Sequence, residues 1–437
     1  MTFEEFNLPS KLFQAITDLE FETPTPIQEK AFPAILSGRD VIGIAQTGTG
    51  KTFAYLLPLL RQLKFSEQKE PRILIIVPTR ELVIQVTREA EKLACHMNIR
   101  ITGIYGGTNI NTQKQTVYDG IDVLIATPGR MWDLAMSGVL RLKYIQKFVI
   151  DEVDEMLNLG FRTQLINIME ALPEKRQNLM FSATLKDEIK KIIDSYFNVP
   201  LVIEIAPHGT PIESITQWVY HVPNFFTKVN LLVNLLNKDE SMSKVLVFTK
   251  HKKQADKLFE LIDKKFPGVT GVMHSNKSQN LRVNTLNQFG EGKFRILIAT
   301  DLVARGLDIF GVSHVINFDT PEIPGDYIHR IGRTGRADQV GVAITFVNDP
   351  EVEYLQEIEK MMHQAIAKNF LPEDLVMSEV YLEEERPTAL YDKDYLKPQE
   401  KKVIAAFHEK KGKNKKINLG GPKKRNPKYG KPLKPKF

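Results

Sequence analysis

Short apolar runs rich in β-forming residues recur along this chain, and a stretch with helical periodicity follows each of them. In the first half the runs lie at 41–45, 73–77, 123–126 and 148–150. After the second run, apolar residues fall on one helical stripe, formed by Leu82, Val83, Val86, Ala90 and Leu93. This alternation predicts an α/β fold in which helices flank a mostly parallel sheet.

The same alternation restarts in the second half, with apolar runs at 245–248, 295–299 and 312–318. An irregular stretch at 206–214, which contains two prolines and a glycine, separates the two series. In both halves a strand leads into a threonine and a basic residue, Thr79-Arg80 and Thr249-Lys250, and then into a helix. We therefore predict two tandem α/β domains, at 1–205 and 206–375, in a chain of 437 residues.

The last part of the chain differs in composition from both halves. Residues 400–437 contain fourteen Lys or Arg residues, against the two acidic residues Glu400 and Glu409. Such a segment cannot bury enough surface to offset its ordering entropy, so we predict that 376–437 is a basic, largely disordered extension. The formal charge of the whole chain is +6. The extension should attract phosphate backbones, and a purely solubilising tail is the alternative.

The single cysteine suits a reducing compartment, and the apolar runs bear on whether the chain enters a membrane. Cys95 is the only cysteine, so an intramolecular disulfide and a multi-cysteine zinc site are excluded. The N-terminal residues do not combine a basic segment with a long apolar run, and the later apolar runs are too short to cross a bilayer. We expect a cytoplasmic protein without a membrane partner.

A glycine-rich segment between the strand at 41–45 and a helix ends in Gly-Lys-Thr. In this setting backbone N–H groups and a helix N-terminus bind phosphates. Lys51 would neutralise the β- and γ-phosphates of ATP, and the Thr52 hydroxyl would help to hold Mg²⁺. Ala45 stands where the phosphate-loop pattern has its first glycine, and a chance glycine-rich turn is the alternative. The predicted nucleotide-binding residues of this loop are Gln46, Thr47, Gly48, Thr49, Gly50, Lys51 and Thr52.

The strand at 148–150 ends in the acidic sequence Asp151-Glu152-Val153-Asp154. Beside a phosphate loop, Asp151 would be a magnesium ligand, and Glu152 would orient or deprotonate the attacking water. An acidic helix start is the alternative, because carboxylates stabilise helix N-termini.

The second half contains closely spaced arginines at 330, 333 and 336, interleaved with glycines. Arginine is suited to the charge that develops on the γ-phosphate in the transition state, and an arginine finger contributes about 10³ to 10⁵ in rate. A solvated basic turn is the alternative. If the finger and the phosphate loop lie on different domains, only a closed molecule hydrolyses ATP.

Taken in this order, these segments closely resemble the DEAD-box RNA helicases of helicase superfamily two, from Phe3 to about Val347. The resemblance implies two tandem RecA-like domains. It also implies that Gln28 reads the adenine edge and that Phe21 and Thr23 line the base pocket. Arg333 and Arg336 occupy the finger positions of the family, and Asp308 would contact ATP.

The resemblance further implies a coupling segment and a set of RNA contacts. Ser182 and Thr184 lie in the segment that would couple hydrolysis to strand separation. The RNA contacts would go mainly to the phosphate backbone. Their predicted residues are Pro78, Thr79, Arg80, Gly106, Gly107, Thr127, Pro128, Gly129, Arg130, Thr249, Gln279, Arg282, Thr300 and Gly306.

Two positions depart from the family pattern. Val153 replaces the alanine after which the family is named, and we expect hydrolysis to be retained with slightly altered packing. Glu20 stands where the adenine motif usually has glycine, so the approach to Phe21 is expected to differ.

The predicted activity is RNA-stimulated ATP hydrolysis coupled to local RNA unwinding or RNP remodelling, with ATP and Mg²⁺ as cofactors. The predicted partners are single-stranded RNA, short RNA duplexes, and ribosomal or RNP assemblies. An ATP-gated RNA clamp or assembly platform with little unwinding activity is the main alternative. A P-loop kinase would leave the second half without a role, and a DNA-directed helicase is disfavoured by the resemblance alone.

Overall fold

The computed structural model describes residues 2–45, 48–205, 215–301, 311–335, 341–382 and 385. These residues build two seven-stranded sheets, and all the paired strands run parallel. We call the part of the chain that builds the first sheet the first lobe, and the part that builds the second sheet the second lobe. The α/β fold class predicted above is confirmed.

The first sheet has the strand order β3-β4-β2-β5-β6-β1-β7. Its strands are β1 Val41–Ile44, β2 Ile73–Ile76, β3 Ile101–Ile104, β4 Val123–Ala126, β5 Lys147–Asp151, β6 Gln177–Ser182 and β7 Leu201–Glu204. The helices of this lobe are α1 Ser10–Asp18, α2 Pro26–Leu36, α3 Lys51–Gln62, α4 Arg80–Leu93, α5 Ile110–Asp119, α6 Pro128–Met136, α7 Val153–Asn158, α8 Arg162–Ala171 and α9 Asp187–Tyr196.

The second sheet has the order β10-β11-β9-β12-β13-β8-β14, which repeats the order of the first sheet strand for strand. Its strands are β8 Ile215–His221, β9 Val245–Thr249, β10 Thr270–Met273, β11 Ile296–Thr300, β12 His314–Asn317, β13 Gly341–Val347 and β14 Ala367–Asn369. Its described helices are α10 Phe225–Lys238, α11 Lys252–Asp263, α12 Gln279–Gly290, α13 Pro324–Ile331 and α14 Val352–Met362. The weak likeness between the two halves of the sequence therefore reflects one topology used twice.

Each sheet is buried on both faces. Along β2, Ile73 and Ile75 belong to one apolar cluster, whereas Leu74 and Ile76 belong to the cluster on the opposite face. Successive side chains of a strand point to opposite faces, so helices must cover both of them. This explains why the central strands read as continuous apolar runs.

In a parallel sheet the carboxyl ends of all strands meet at one edge, and ligands of open α/β sheets bind outside that edge. In the first lobe this edge carries the phosphate loop, Thr79, Thr127, Asp151 and Ser182. In the second lobe it carries Thr249 and Thr300, which lie side by side because β9 and β11 pair in register there. The fold thus gathers the predicted site residues at two edges.

Residues beyond the second sheet lie along α10. The amide of Asn230 donates to the Val376 carbonyl at 2.7 Å, and Asn224 donates to the Ser378 carbonyl at 2.6 Å. The carboxylate of Glu385 accepts from the Phe225 amide at 2.8 Å, at the start of the same helix. The basic residues 386–437 lie outside the described part of the chain, and none of the described helices is long and apolar enough to cross a membrane.

Candidate functional site

The phosphate loop meets the predicted adenine-reading glutamine. Gly50 precedes α3 with a φ of 88°, a left-handed conformation that glycine adopts without strain. The Gln28 side-chain amide donates to the Gly50 carbonyl at 3.2 Å, while its oxygen accepts from the Thr25 amide at 3.0 Å. A Cβ atom at position 50 would lie 2.5 Å from Gln28 Nε2. Gln28 and the loop are therefore packed as one unit. The predicted loop residues Gln46 and Thr47 lie outside the described residues.

Lys51 begins α3 and is buried, and its Nζ has no hydrogen-bond partner among the described residues. Its charge acts on both Asp151 and Glu152, whose pKa values it lowers against the effect of burial. A buried ammonium without a partner is costly unless an anion joins it. At a helix N-terminus flanked by Gly48 and Gly50, the arrangement is that of a phosphate site.

Asp151 and Glu152 lie at the end of β5, and both are buried. The Asp151 carboxylate accepts from the Tyr55 hydroxyl at 3.0 Å and from the Glu152 amide at 2.9 Å. Glu152 has a φ of 54°, which is rare for a residue with a side chain and is typical of strained functional positions. Burial raises the pKa of Glu152 to about 7, although the positive charges of Lys51, Arg333 and His329 oppose this rise. Such a carboxyl group is suited to proton transfer near neutral pH.

Helix α13 of the second lobe faces this acidic cluster. His329 Nδ1 lies 2.9 Å from Glu155 Oε1, and both side chains are buried. Burial alone would lower the pKa of His329, but the hydrogen bond and charge of Glu155 outweigh it and raise that pKa. Arg333 donates to the His329 carbonyl at 3.2 Å, and its charge reaches Glu152. The second predicted finger, Arg336, and the predicted ATP contact Asp308 lie outside the described residues.

The predicted coupling segment is joined directly to the acidic motif. Asp154 Oδ2 accepts from both the amide and the hydroxyl of Thr184, each at 3.1 Å. The Ser182 hydroxyl donates to the Thr184 carbonyl at 2.7 Å. Two hydrogen bonds therefore tie this turn to the start of α7.

The base-pocket residues lie at the surface. Phe21 is 46% exposed and meets Phe53 edge-on at 5.1 Å, and Thr23 is exposed. Glu20 has a φ of 57°, so the position before Phe21 requires the left-handed conformation. This explains why glycine suits that position. The upstream aromatic Phe3, by contrast, is buried against Phe6.

Three of the predicted RNA-binding segments of the first lobe meet at one loop. Arg80 begins α4 after Thr79, whose hydroxyl accepts from the Leu82 amide at 3.2 Å. The Arg80 guanidinium lies against Gly107, which has a φ of 81°. Arg130 donates to the Thr108 carbonyl at 3.2 Å and to Gln113. The loop thus brings together Pro78, Thr79, Arg80, Gly106, Gly107, Thr127, Pro128, Gly129 and Arg130.

In the second lobe, Thr249 and Thr300 are buried at paired strand ends, and Gly306 lies outside the described residues. Gln279 and Arg282 contact the first lobe. Arg282 forms an ion pair with Glu81 at 2.8 Å, and Gln279 donates to the same carboxylate at 3.1 Å. Their contact with RNA stays a prediction, and in this structure they bridge the two lobes.

The comparisons with known proteins agree with this geometry. Residues 25–192 match the DEAD/DEAH box helicase family, and residues 227–338 match the helicase conserved C-terminal domain family. The DEAD-box ATP-dependent RNA helicase CshA of Geobacillus kaustophilus is 40% identical over 359 residues, which are 82% of this chain and 76% of that protein. This chain belongs to the DEAD-box helicase family.

Solved structures of the DEAD-box family also match both lobes together. Saccharomyces cerevisiae Dbp5 bound to RNA and ADP BeF3 matches with a TM-score of 0.77 and 29% identity, over 85% of this chain and 96% of that one. A Dbp5 variant bound to Nup159, a Gle1 variant, IP6 and ADP matches with a TM-score of 0.59 and 28% identity, over 84% and 96%.

The sequence does not predict the contacts that three residues of this DEAD-box site make. Glu155 directly follows the acidic motif and meets His329, but an acidic helix start gave no reason to single it out. Arg330 lies in the sequence between His329 and Arg333, which face the first lobe. Its own side chain is buried and donates to both carboxylate oxygens of Asp301, at 2.6 and 2.7 Å. Tyr55 follows Thr52 by one helical turn, which was the available signal for its contact with Asp151.

Proposed function

We propose that this DEAD-box chain binds ATP and Mg²⁺ in its first lobe and hydrolyses ATP when RNA holds the two lobes together, separating short duplexes locally or remodelling RNPs. The observation that carries the proposal is the buried, unpartnered Lys51 ammonium beside Asp151 and Glu152. From the second lobe, Arg333 acts on Glu152 through its charge, and His329 contacts Glu155 at 2.9 Å.

The first-lobe residues fit a magnesium-bound nucleotide. Lys51 and the amides at the start of α3 bind the phosphates, and Gln28, Phe21 and Thr23 select adenine. Asp151 and Thr52 would supply the hard oxygen ligands that Mg²⁺ prefers, and an ion held there would neutralise charge on the phosphate oxygens. Glu152 orients the attacking water and accepts its proton, which requires the ionised carboxylate.

The second lobe completes the site only when the lobes are closed. Arg333, together with Arg336, stabilises the charge that develops on the γ-phosphate. Because Arg333 and Lys51 belong to different lobes, opening the cleft removes the finger from the phosphates. This makes hydrolysis depend on whatever favours closure.

RNA favours closure because its contacts belong to both lobes. The loop around Gly107, with Arg80 and Arg130, binds phosphates on the first lobe, while Thr249 and Thr300 bind them on the second. These contacts read the backbone and carry little sequence information. Ser182 and Thr184, through Asp154, connect this change to the nucleotide.

The wider assignments are part of the same proposal. The functional domains are 1–205 and 206–375, with a basic extension at 376–437. The protein works in the cytoplasm, on RNA in ribosomal or other RNP assemblies.

The first test is steady-state ATPase activity with and without single-stranded RNA, with single-stranded DNA as the control ligand. We expect strong stimulation by RNA alone, loss of activity in Glu152→Gln, and unchanged activity in the matched surface variant Glu188→Gln. Equal rates with and without RNA would overturn the proposed coupling. A strand-displacement assay then separates unwinding from the clamp, because a clamp hydrolyses ATP without releasing the duplex.

A further inference from the structure

Tyr55 lies on α3 one turn after Thr52, and its side chain is fully buried. Its hydroxyl donates to Asp151 Oδ2 at 3.0 Å. The phenol oxygen therefore contacts one of the two side chains to which we assign the metal. No sequence motif marks this residue.

The direction of this hydrogen bond follows from the chemistry of the two groups. A carboxylate that binds Mg²⁺ is ionised and only accepts, so the Tyr55 proton points at Asp151.

Both oxygens of Asp151 are held in this arrangement. Oδ2 accepts from Tyr55, and Oδ1 accepts from the Glu152 amide at 2.9 Å. Each oxygen retains a lone pair, while rotation of the carboxylate is blocked.

A packing role alone would not require the hydroxyl. The Tyr55 ring is tilted against Phe181 at 5.2 Å between centroids, within the apolar cluster that also contains Ala54 and Leu179. A phenylalanine ring would make the same contacts. The hydroxyl is the part of the side chain that packing leaves unexplained.

We propose that Tyr55 is a positioning residue that sets the affinity for Mg²⁺ by orienting Asp151. The inference deepens the proposed function and rests on its metal site. Groups that orient metal ligands typically contribute about 10- to 100-fold in metal affinity or activity. Tyr55→Phe removes the hydroxyl and keeps the ring, so it isolates this contribution.

The test measures binding of Mn²⁺, a paramagnetic substitute for Mg²⁺, to the full-length chain with ADP, using electron paramagnetic resonance of the free ion. We expect Tyr55→Phe to weaken Mn²⁺ binding by about 10- to 100-fold. The Mg²⁺ concentration for half-maximal ATPase should rise to the same extent, and kcat should recover at high Mg²⁺. ADP affinity without metal should not change.

The matched control is Tyr220→Phe, which removes the hydroxyl that accepts from Asn369 at 2.8 Å in the second lobe. It should leave the metal affinity unchanged. Asp151→Asn distinguishes a failure of the proposed metal site from a failure of the role proposed for Tyr55. If Asp151→Asn keeps normal Mn²⁺ binding, the proposed metal site itself is wrong. If Asp151→Asn loses Mn²⁺ while Tyr55→Phe binds like the wild type, only the role of Tyr55 is overturned.

Discussion

Gly107 and Gly106 offer a sharp test of the RNA interface, because neighbouring glycines differ in what a methyl group would meet. A Cβ atom at position 107 would overlap the Arg80 guanidinium, whereas one at position 106 would lie 3.5 Å from Arg80 Nη2, an ordinary contact. Gly107 also has a φ of 81°, which Gly106 does not share. Gly107→Ala should therefore displace Arg80, and Gly106→Ala should leave it in place.

The expected magnitude follows from the loss of one arginine contact with a phosphate. A hydrogen bond to a charged group contributes about 1.5–3 kcal/mol, so RNA affinity should fall by about 10- to 100-fold. The slope of log K against log salt should become shallower by about 0.7, the value for one phosphate on a single strand. The left-handed backbone should also destabilise the Gly107→Ala fold by about 1–2 kcal/mol.

The assay is fluorescence anisotropy of labelled single-stranded RNA with a non-hydrolysable ATP analogue, at several salt concentrations. ATP affinity in the absence of RNA is the internal control and should be the same in both variants and the wild type. Equal losses of RNA affinity in Gly106→Ala and Gly107→Ala would refute the positioning of Arg80 by Gly107. An unchanged salt slope in Gly107→Ala would show that Arg80 does not contact a phosphate.

Three further predictions concern single positions. Glu20→Gly should stabilise the protein by about 0.5–1 kcal/mol in urea denaturation, because glycine relieves the left-handed backbone at 20. Glu22→Gly, where φ is not positive, should bring no gain. Val153→Ala should destabilise by roughly 1–2.5 kcal/mol while RNA-stimulated ATPase persists, because Val153 is fully buried; an unchanged urea midpoint would contradict this. Since the pKa of Glu152 is raised to about 7 and its ionised form is the base, kcat/KM for ATP should rise about tenfold per pH unit below 7 and level off above it. A flat profile from pH 6 to 8 would argue against this role.

The central strands could be predicted from the sequence because they are buried on both faces. The apolar run at 123–126 coincides with β4, and the run at 73–77 differs from β2 by one residue at its end. Edge strands could not be predicted in the same way. In β3, Ile101–Ile104, three of four residues are only partly buried, and β14 at Ala367–Asn369 is exposed throughout. An edge strand has one neighbour and less contact with helices, so its sequence carries a weaker apolar signal.

The site was predictable where its residues are close in sequence and unpredictable where they are far apart. The phosphate loop and the acidic motif are continuous segments with a fixed relation to a strand and a helix. The bridge between Gln279 and Glu81 joins residues 198 positions apart. Neither the sequence of α4 nor that of α12 indicates by itself that the two helices meet. The position of Gln279 and Arg282 within a motif predicts contact with RNA, whereas their contact with Glu81 depends on the three-dimensional arrangement of the lobes.

The interlobe contacts explain how the two ligands communicate without a separate relay. Glu81, which pairs with Arg282 and accepts a hydrogen bond from Gln279, directly follows Arg80 in the predicted RNA-binding segment. Glu155, which receives His329, lies one turn of helix from Glu152 at the nucleotide site. On the proposed assignments, each ligand orders a segment that carries one half of an interlobe contact. Once one ligand has closed the cleft, the other binds without the free-energy cost of closure. This is the condition for reciprocal cooperativity, in which the coupling free energy between two sites is typically about 1–3 kcal/mol.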